Sequence, residues 1–179
     1  MKCPSCGHEN QSGVDHCHNC MASLFHSYMP PGAKGKLRRM IMEETVWNAI
    51  DQGQKPIILG VSDTVEKAIR AFQEHQQSCL LIVENGKLAG IVTYRDILMK
   101  VAGKYKDFKR IKVSQIMTAR PMTLKKDDTV AVAINGMSIG GFRHIPIVDV
   151  ENHPIGWISI KAVLRHLSKS GLAAASATS

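Results

Sequence analysis

Aromatic residues are scarce in this chain of 179 residues: four Phe, three Tyr and two Trp, or 5 %. That scarcity removes the stacking platform on which sequence-tolerant single-stranded nucleic-acid binders rest. No apolar run approaches the ~20 residues that cross a bilayer, so no membrane partner is expected. The start, Met-Lys-Cys-Pro, has no hydrophobic stretch of the secretory kind, and a cytoplasmic location is the expectation. Also missing are a Walker loop, a nucleophile elbow with Ser-His-Asp order, and a metal-ligand set with an open position. The chain is therefore not expected to be an enzyme. Apolar residues at 44 % and charged residues at 21 % fit a soluble globular protein of one ordinary domain or two small ones.

Charge is unevenly placed. The net +8 includes +4 over residues 31–40 and +4 over residues 104–112, so two short stretches account for all of it. Lys34–Arg39 and Lys104–Lys112 read as solvated linkers, or as contacts for a polyanion or acidic partner. The second stretch holds only Tyr105 and Phe108 as aromatics, so nucleic acid is an alternative that the pattern does not favour.

Four of the five cysteines fall in the first 20 residues, as Cys3-x-x-Cys6 and Cys17-x-x-Cys20. Two such knuckles ten residues apart can place four thiolates tetrahedrally around one ion at about 2.3 Å. Pro4, Gly7 and the polar run between the knuckles give the segment its resemblance to a zinc ribbon. Disulfides are disfavoured in the cytosol, and a redox Cys-x-x-Cys needs a β-α-β frame that 20 residues cannot supply. Iron in a rubredoxin-like site uses the same four sulfurs, so the spacing alone does not choose the metal. A closed four-thiolate shell makes the metal structural, and in so short a segment it must supply the folding free energy. Cys79, beside Leu80-Leu81-Ile82-Val83, reads as a small core residue.

Between residues 55 and 168 the chain repeats itself. Pro56–Leu59 and Pro121–Leu124 are strand candidates, followed by the helix starts Ser62-Asp-Thr-Val65 and Asp127-Asp-Thr-Val130. Val65, Ala68, Ile69, Phe72 and then Val130, Ala133, Ile134, Met137 carry the i, i+3, i+4, i+7 spacing of a core-facing helix. Two hairpins follow, Cys79–Val83 with Leu88–Thr93 across Asn85-Gly86, and His144–Val148 with Pro154–Ser159. Helix candidates Tyr94–Val101 and Ile160–Leu167 end the halves. A β-α-β-β-α unit thus occurs twice, and each unit is too small to bury a good core alone.

The duplicated unit, the Arg143-His-Ile-Pro-Ile-Val148 run and the Gly90-Ile-Val-Thr-Tyr-Arg-Asp96 run resemble a pair of CBS domains over residues 40–168. The resemblance implies an α+β fold in which tandem CBS domains form a pseudo-symmetric pair with two clefts, preceded here by the small zinc ribbon. The expected organisation is ribbon 1–25, linker 26–39, first CBS domain 40–103, basic linker 104–112, second CBS domain 113–169 and flexible tail 170–179. It also implies a regulatory protein that senses AMP, ADP, ATP or S-adenosylmethionine and associates as a homodimer, and the ribbon is expected to contact a regulated protein.

On the matching positions, Asp96 accepts from the ribose hydroxyls and Thr93 meets the phosphate at a helix start. Thr93 and Asp96 equally suit a capping box that merely stabilises that helix start. Met122 as an apolar contact for the base, then Arg143, His144 and Lys161, are expected on the opposite wall, from the second repeat. The second repeat reads Gly156-Trp-Ile-Ser-Ile-Lys-Ala162, with Ala162 where the ribose-binding Asp belongs. Ser159 can still cap a helix and meet a phosphate, so one competent cleft and one weak or empty cleft are expected.

Overall fold

The structure, a computed structural model, describes residues 3, 6–11, 14, 16–21, 24, 41–50, 55–103 and 108–175. The linker expected over 26–39 lies outside the described residues. So do Lys104–Asp107 of the second basic stretch and the last four residues of the tail.

The first repeat runs β1 (Ile58–Gly60), α2 (Val65–His75), β2 (Cys79–Glu84), β3 (Lys87–Thr93) and α3 (Tyr94–Asp96), preceded by a short helix α1 (Val46–Ala49). The second runs β4 (Thr118–Ala119), α4 (Val130–Gly140), β5 (His144–Val148), β6 (Pro154–Ser159) and α5 (Ile160–Ala175). β1 pairs parallel with β2, β2 antiparallel with β3, and β3 antiparallel with β4. β5 and β6 form the second hairpin, while Leu124 makes a parallel bridge to Ile147 where the first repeat has β1. Both hairpins shift register at the same place, between Ile82 and Val83 and between Ile147 and Val148. This is the mixed α+β architecture of two related units.

Alternation along β2 divides its side chains between two cores, because successive residues of a strand face opposite sides. Leu80 and Ile82 pack on α2 with Val65, Ala68 and Phe72. Cys79 and Leu81 face the other way, against Leu88, Ile91, Val148 and Trp157, and so join the repeats sheet to sheet. Cys79 is 1 % exposed, and burial pushes its thiol well above the ordinary range.

Each repeat is completed by the segment that precedes the other. Val46 and Ala49 of α1 pack in the core of the second repeat with Leu124, Ile145 and Ile158. Ile111, Val113 and Ile116 pack in the core of the first. The backbone repeats the exchange: Val46 N–H donates to Asp128 and Val130 N–H to Glu44, while Val113 N–H donates to Asp63 and Val65 N–H to Ile111. The segment opening the stretch 40–103 therefore serves the second core, and the end of the basic stretch 104–112 serves the first.

The tail departs from the sequence expectation. Its first residues continue α5 to Ala175. Leu172-Ala-Ala-Ala is good helix-forming sequence, and a helix already packed on a core propagates through it at little cost.

Candidate functional site

Two clefts lie between the repeats, and they differ in size. The larger, about 790 Å³, falls in the range of small-molecule sites. Its walls come from Thr93, Tyr94, Arg95, Asp96, Met99 and Lys100 of the first repeat and from Arg120, Met122, Phe142, Arg143 and His144 of the second. The smaller, about 170 Å³, is lined by Gln76, Gln77 and Ser78 against Trp157, Ser159, Lys161, Ala162 and Arg165.

Thr93 and Asp96 form the capping box. Asp96 Oδ2 accepts from the Thr93 N–H at 2.9 Å and from the Thr93 hydroxyl at 2.7 Å, and the Asp96 N–H donates to Thr93 Oγ1 at 3.4 Å. The other carboxylate oxygen, Oδ1, accepts from Lys100 Nζ at 2.7 Å. Lys100 Nζ also donates to the Ile116 carbonyl at 2.6 Å. A carboxylate oxygen carries two lone pairs, so Oδ1 keeps capacity to accept from a hydroxyl beside the lysine. The helix then widens to a π-helical turn over Ile97–Val101, a backbone form that recurs at functional sites.

Glycines seat both walls. A Cβ on Gly90 would stand 2.9 Å from the Thr118 carbonyl oxygen and 2.5 Å from Met117 Sδ, so only glycine lets β4 lie against β3 here. A Cβ on Gly136 would meet Met122 Sδ at 2.6 Å, and this gap in α4 holds Met122 at the cleft.

His144 accepts or donates with Ser78 Oγ at 2.7 Å across the repeat boundary. Burial, and secondarily the Arg143 guanidinium, pull its imidazole below the ordinary histidine range and so favour the neutral form.

Lys161 is the correction. It was expected across from Asp96, but the structure places it with Ser159 and Ala162 in the smaller cleft. The pseudo-symmetry gives the reason: Lys161 stands 66 residues after Arg95, and each closing helix faces its own cleft. Arg95 is the residue that this register puts beside Asp96. Sequence reasoning passed over it because it occupies an unspecified position of the motif. It also passed over Arg120, which follows β4 with φ +47 and whose N–H donates to the Ala89 carbonyl. No local pattern marks that position.

The four N-terminal cysteines converge. Their sulfurs all lie within 4.8 Å of one another, with Cys3–Cys20 at 3.7 Å and Cys6–Cys17 at 3.6 Å. Bonds of 2.3 Å to a tetrahedral ion would set sulfurs about 3.8 Å apart, so the donor set fits one metal ion. The two knuckles are built alike: Gly7 N–H donates to the Cys3 carbonyl and Met21 N–H to the Cys17 carbonyl, both from left-handed residues. Burial raises the Cys17 thiol, but N–H groups of Cys20, Asn19 and Asn10 and the Cys6 thiol outweigh it and bring it to about 6. The Cys6 thiol is lowered by His8 N–H and the Asn19 amide. Such stabilised thiolates are the form that ligates metals.

A CBS-domain model matches residues 53–103 and 113–169. The chain belongs to the CBS-domain family. Among its CBS-family relatives, the meiotically up-regulated gene 70 protein of Schizosaccharomyces pombe is 27 % identical over 154 residues, 86 % of this chain and 20 % of that protein. An inosine-5′-monophosphate dehydrogenase of Methanocaldococcus jannaschii is 32 % identical over 136 residues, covering 72 % of this chain and 26 % of the enzyme. The chain thus spans about a fifth to a quarter of the first curated CBS-family relatives it matches. The CBS domain pair of protein MJ0100, solved with 5′-methylthioadenosine and S-adenosyl-L-methionine, aligns with TM-score 0.60 and 25 % identity over 68 % of this chain and 97 % of that one. No helix among the described residues is long and apolar enough to cross a membrane.

Proposed function

We propose that this CBS pair is a regulatory module, without a reaction of its own, whose larger cleft binds an adenosine-containing ligand: AMP, ADP, ATP or S-adenosylmethionine. The observation that carries the reading is the asymmetry of the clefts. About 790 Å³ opens where the Gly90–Asp96 motif is complete, against about 170 Å³ where Ala162 replaces the aspartate. In this reading Asp96 Oδ1 accepts from the ribose diol, Met122 contacts the base, and Thr93, Arg143 and His144 face the phosphate. The adenosyl ligands of the MJ0100 pair support it.

The four cysteines hold a structural zinc in a ribbon that contacts the regulated protein, and the module acts as a cytoplasmic homodimer. Calorimetry of the metal-loaded chain against the four ligands tests the cleft; failure of all four to bind overturns the reading. Metal analysis tests the ribbon. About one zinc per chain is expected, lost in Cys17→Ser while the cooperative melting of the CBS pair stays.

A further inference from the structure

The larger cleft is lined by an excess of unpaired positive charge. Arg95, Arg120 and Arg143 all line it and are all exposed, and none makes a side-chain hydrogen bond or ion pair among the described residues. The lining carboxylate, Asp96, is already matched by Lys100 at 2.7 Å. His144 favours its neutral form. Three guanidiniums are therefore left without a counter-charge among the described residues. They come from three separate places: α3, the turn after β4, and the bend just before β5.

Arg120 adds a second observation. It holds a left-handed φ of +47 directly before Pro121, a conformation that a non-glycine residue keeps only when its surroundings fix it. The Ala89 carbonyl, which accepts its N–H at 3.1 Å, does so here.

Resting on the adenosine reading above, we infer that the larger cleft selects an adenosine polyphosphate, free of magnesium, over both the monophosphate and S-adenosylmethionine. A guanidinium presents planar paired donors that match phosphate oxygens, and three of them match a chain of phosphates better than a single one. S-adenosylmethionine brings a sulfonium cation into the same field and is repelled. Magnesium neutralises the phosphates, and among the described residues the cleft offers no uncommitted carboxylate to receive the ion. Arg95 and Arg120 are the specificity-determining residues of this assignment.

The experiment is calorimetry of the full metal-loaded chain against ATP, ADP, AMP, GTP and S-adenosylmethionine without magnesium, then against ATP in excess magnesium and against ATP in the presence of a short competing oligonucleotide. ATP is expected to bind about tenfold or more tightly than AMP, with S-adenosylmethionine weakest and magnesium weakening ATP. An exposed charged contact changes affinity by up to about fivefold, so two together can supply about tenfold. The variant pair Arg95→Ala with Arg120→Ala should therefore bring the ATP-to-AMP ratio within about threefold of unity while AMP itself loses less than about threefold. Both substituted side chains are exposed, and an unchanged thermal melt confirms folding. Equal binding of AMP and ATP, or S-adenosylmethionine as the tightest ligand, overturns this inference and leaves the adenosine reading standing. Binding of ATP and GTP alike supports the arginine cluster and overturns the adenosine reading. A short oligonucleotide that outcompetes ATP for the cleft overturns both.

Discussion

The two clefts repeat one backbone design but are lined by different side chains. In the larger, the corner after α4 reads Gly141-Phe142-Arg143; in the smaller, the corner after α2 reads Gln76-Gln77-Ser78. Gly141 and Gln76 share the left-handed conformation, φ +65 and +52, but only Gln76 has a side chain to fill the space. Gly90 is pressed by Met117 and Thr118, whereas a Cβ on Gly156 would find Ile50 and Trp47 at an ordinary 3.6 Å. Repeated backbone geometry thus provides two equivalent clefts. Side chains at the corner and at the third helical residue then open one and fill the other.

Removing Asp96 should have the largest effect. A hydrogen bond to a charged group is worth about 1.5–3 kcal/mol, so Asp96→Ala should weaken adenosine ligands by about 10- to 150-fold. The second repeat already has Ala162 at this position, so the variant removes the difference between the two motifs there. Loss of the N3 half of the capping box should also cost about 0.3–1 kcal/mol of stability, read as a lower melting temperature. Unchanged ligand affinity would reduce Thr93 and Asp96 to a helix cap.

The glycines give the next contrast. Gly90→Ala forces the Thr118 carbonyl to move and should cost about 1–3 kcal/mol, as overpacking does. Gly156→Ala meets only ordinary contacts and should cost less than about 1 kcal/mol. Paired denaturant titrations check both, and equal costs would deny the difference in how β3 and β6 are covered.

A titration distinguishes the repeats further, because His144 stands where the first repeat has Cys79. The folded-state pKa of His144 is depressed, so the unfolded chain takes up its proton first as pH falls. Stability is unaffected above about pH 6.5 and declines below it, by at most about 1.4 kcal/mol per pH unit for one proton. Denaturation midpoints between pH 5 and 8 should show this decline, reduced in His144→Gln.

The smallest effect is expected from Ala162→Asp. The Ala162 N–H already donates to Ser159 Oγ at 3.1 Å, so an aspartate completes the box that Thr93 and Asp96 form. A gain of about 0.3–1 kcal/mol in stability is expected. Gln76 still fills the corner, so ligand stoichiometry should stay at one per chain; two sites would show that the third helical residue alone decides.

The repeat was legible because burial imposes period. Val65, Ala68 and Phe72 on one helix face, and Leu80 and Ile82 on one strand face, are what a two-layer unit requires. The Asn85-Gly86 turn and the Thr93–Asp96 cap were legible for the same reason, being set by residues three or fewer apart. The cysteine spacing belongs with them, since each knuckle closes within five residues. Lys161 was placed on the wrong wall because the sequence fixes register along each repeat but not which cleft a closing helix faces. Arg95 and Arg120 escaped notice because their role comes from neighbours far away in the chain.

By itself, then, the sequence determined the two units, their caps and hairpins, the thiolate cluster and the loss of the aspartate at Ala162, all of them local interactions that a short segment makes with itself. Only the tertiary structure decided that Val46 and Ala49 close the second core while Val113 and Ile116 close the first, and that Arg95, Arg120 and Arg143 share one cleft. Those pairings join surfaces left open when each unit folds, and the two-fold relation between the repeats, which no single segment encodes, selects the partner that covers each.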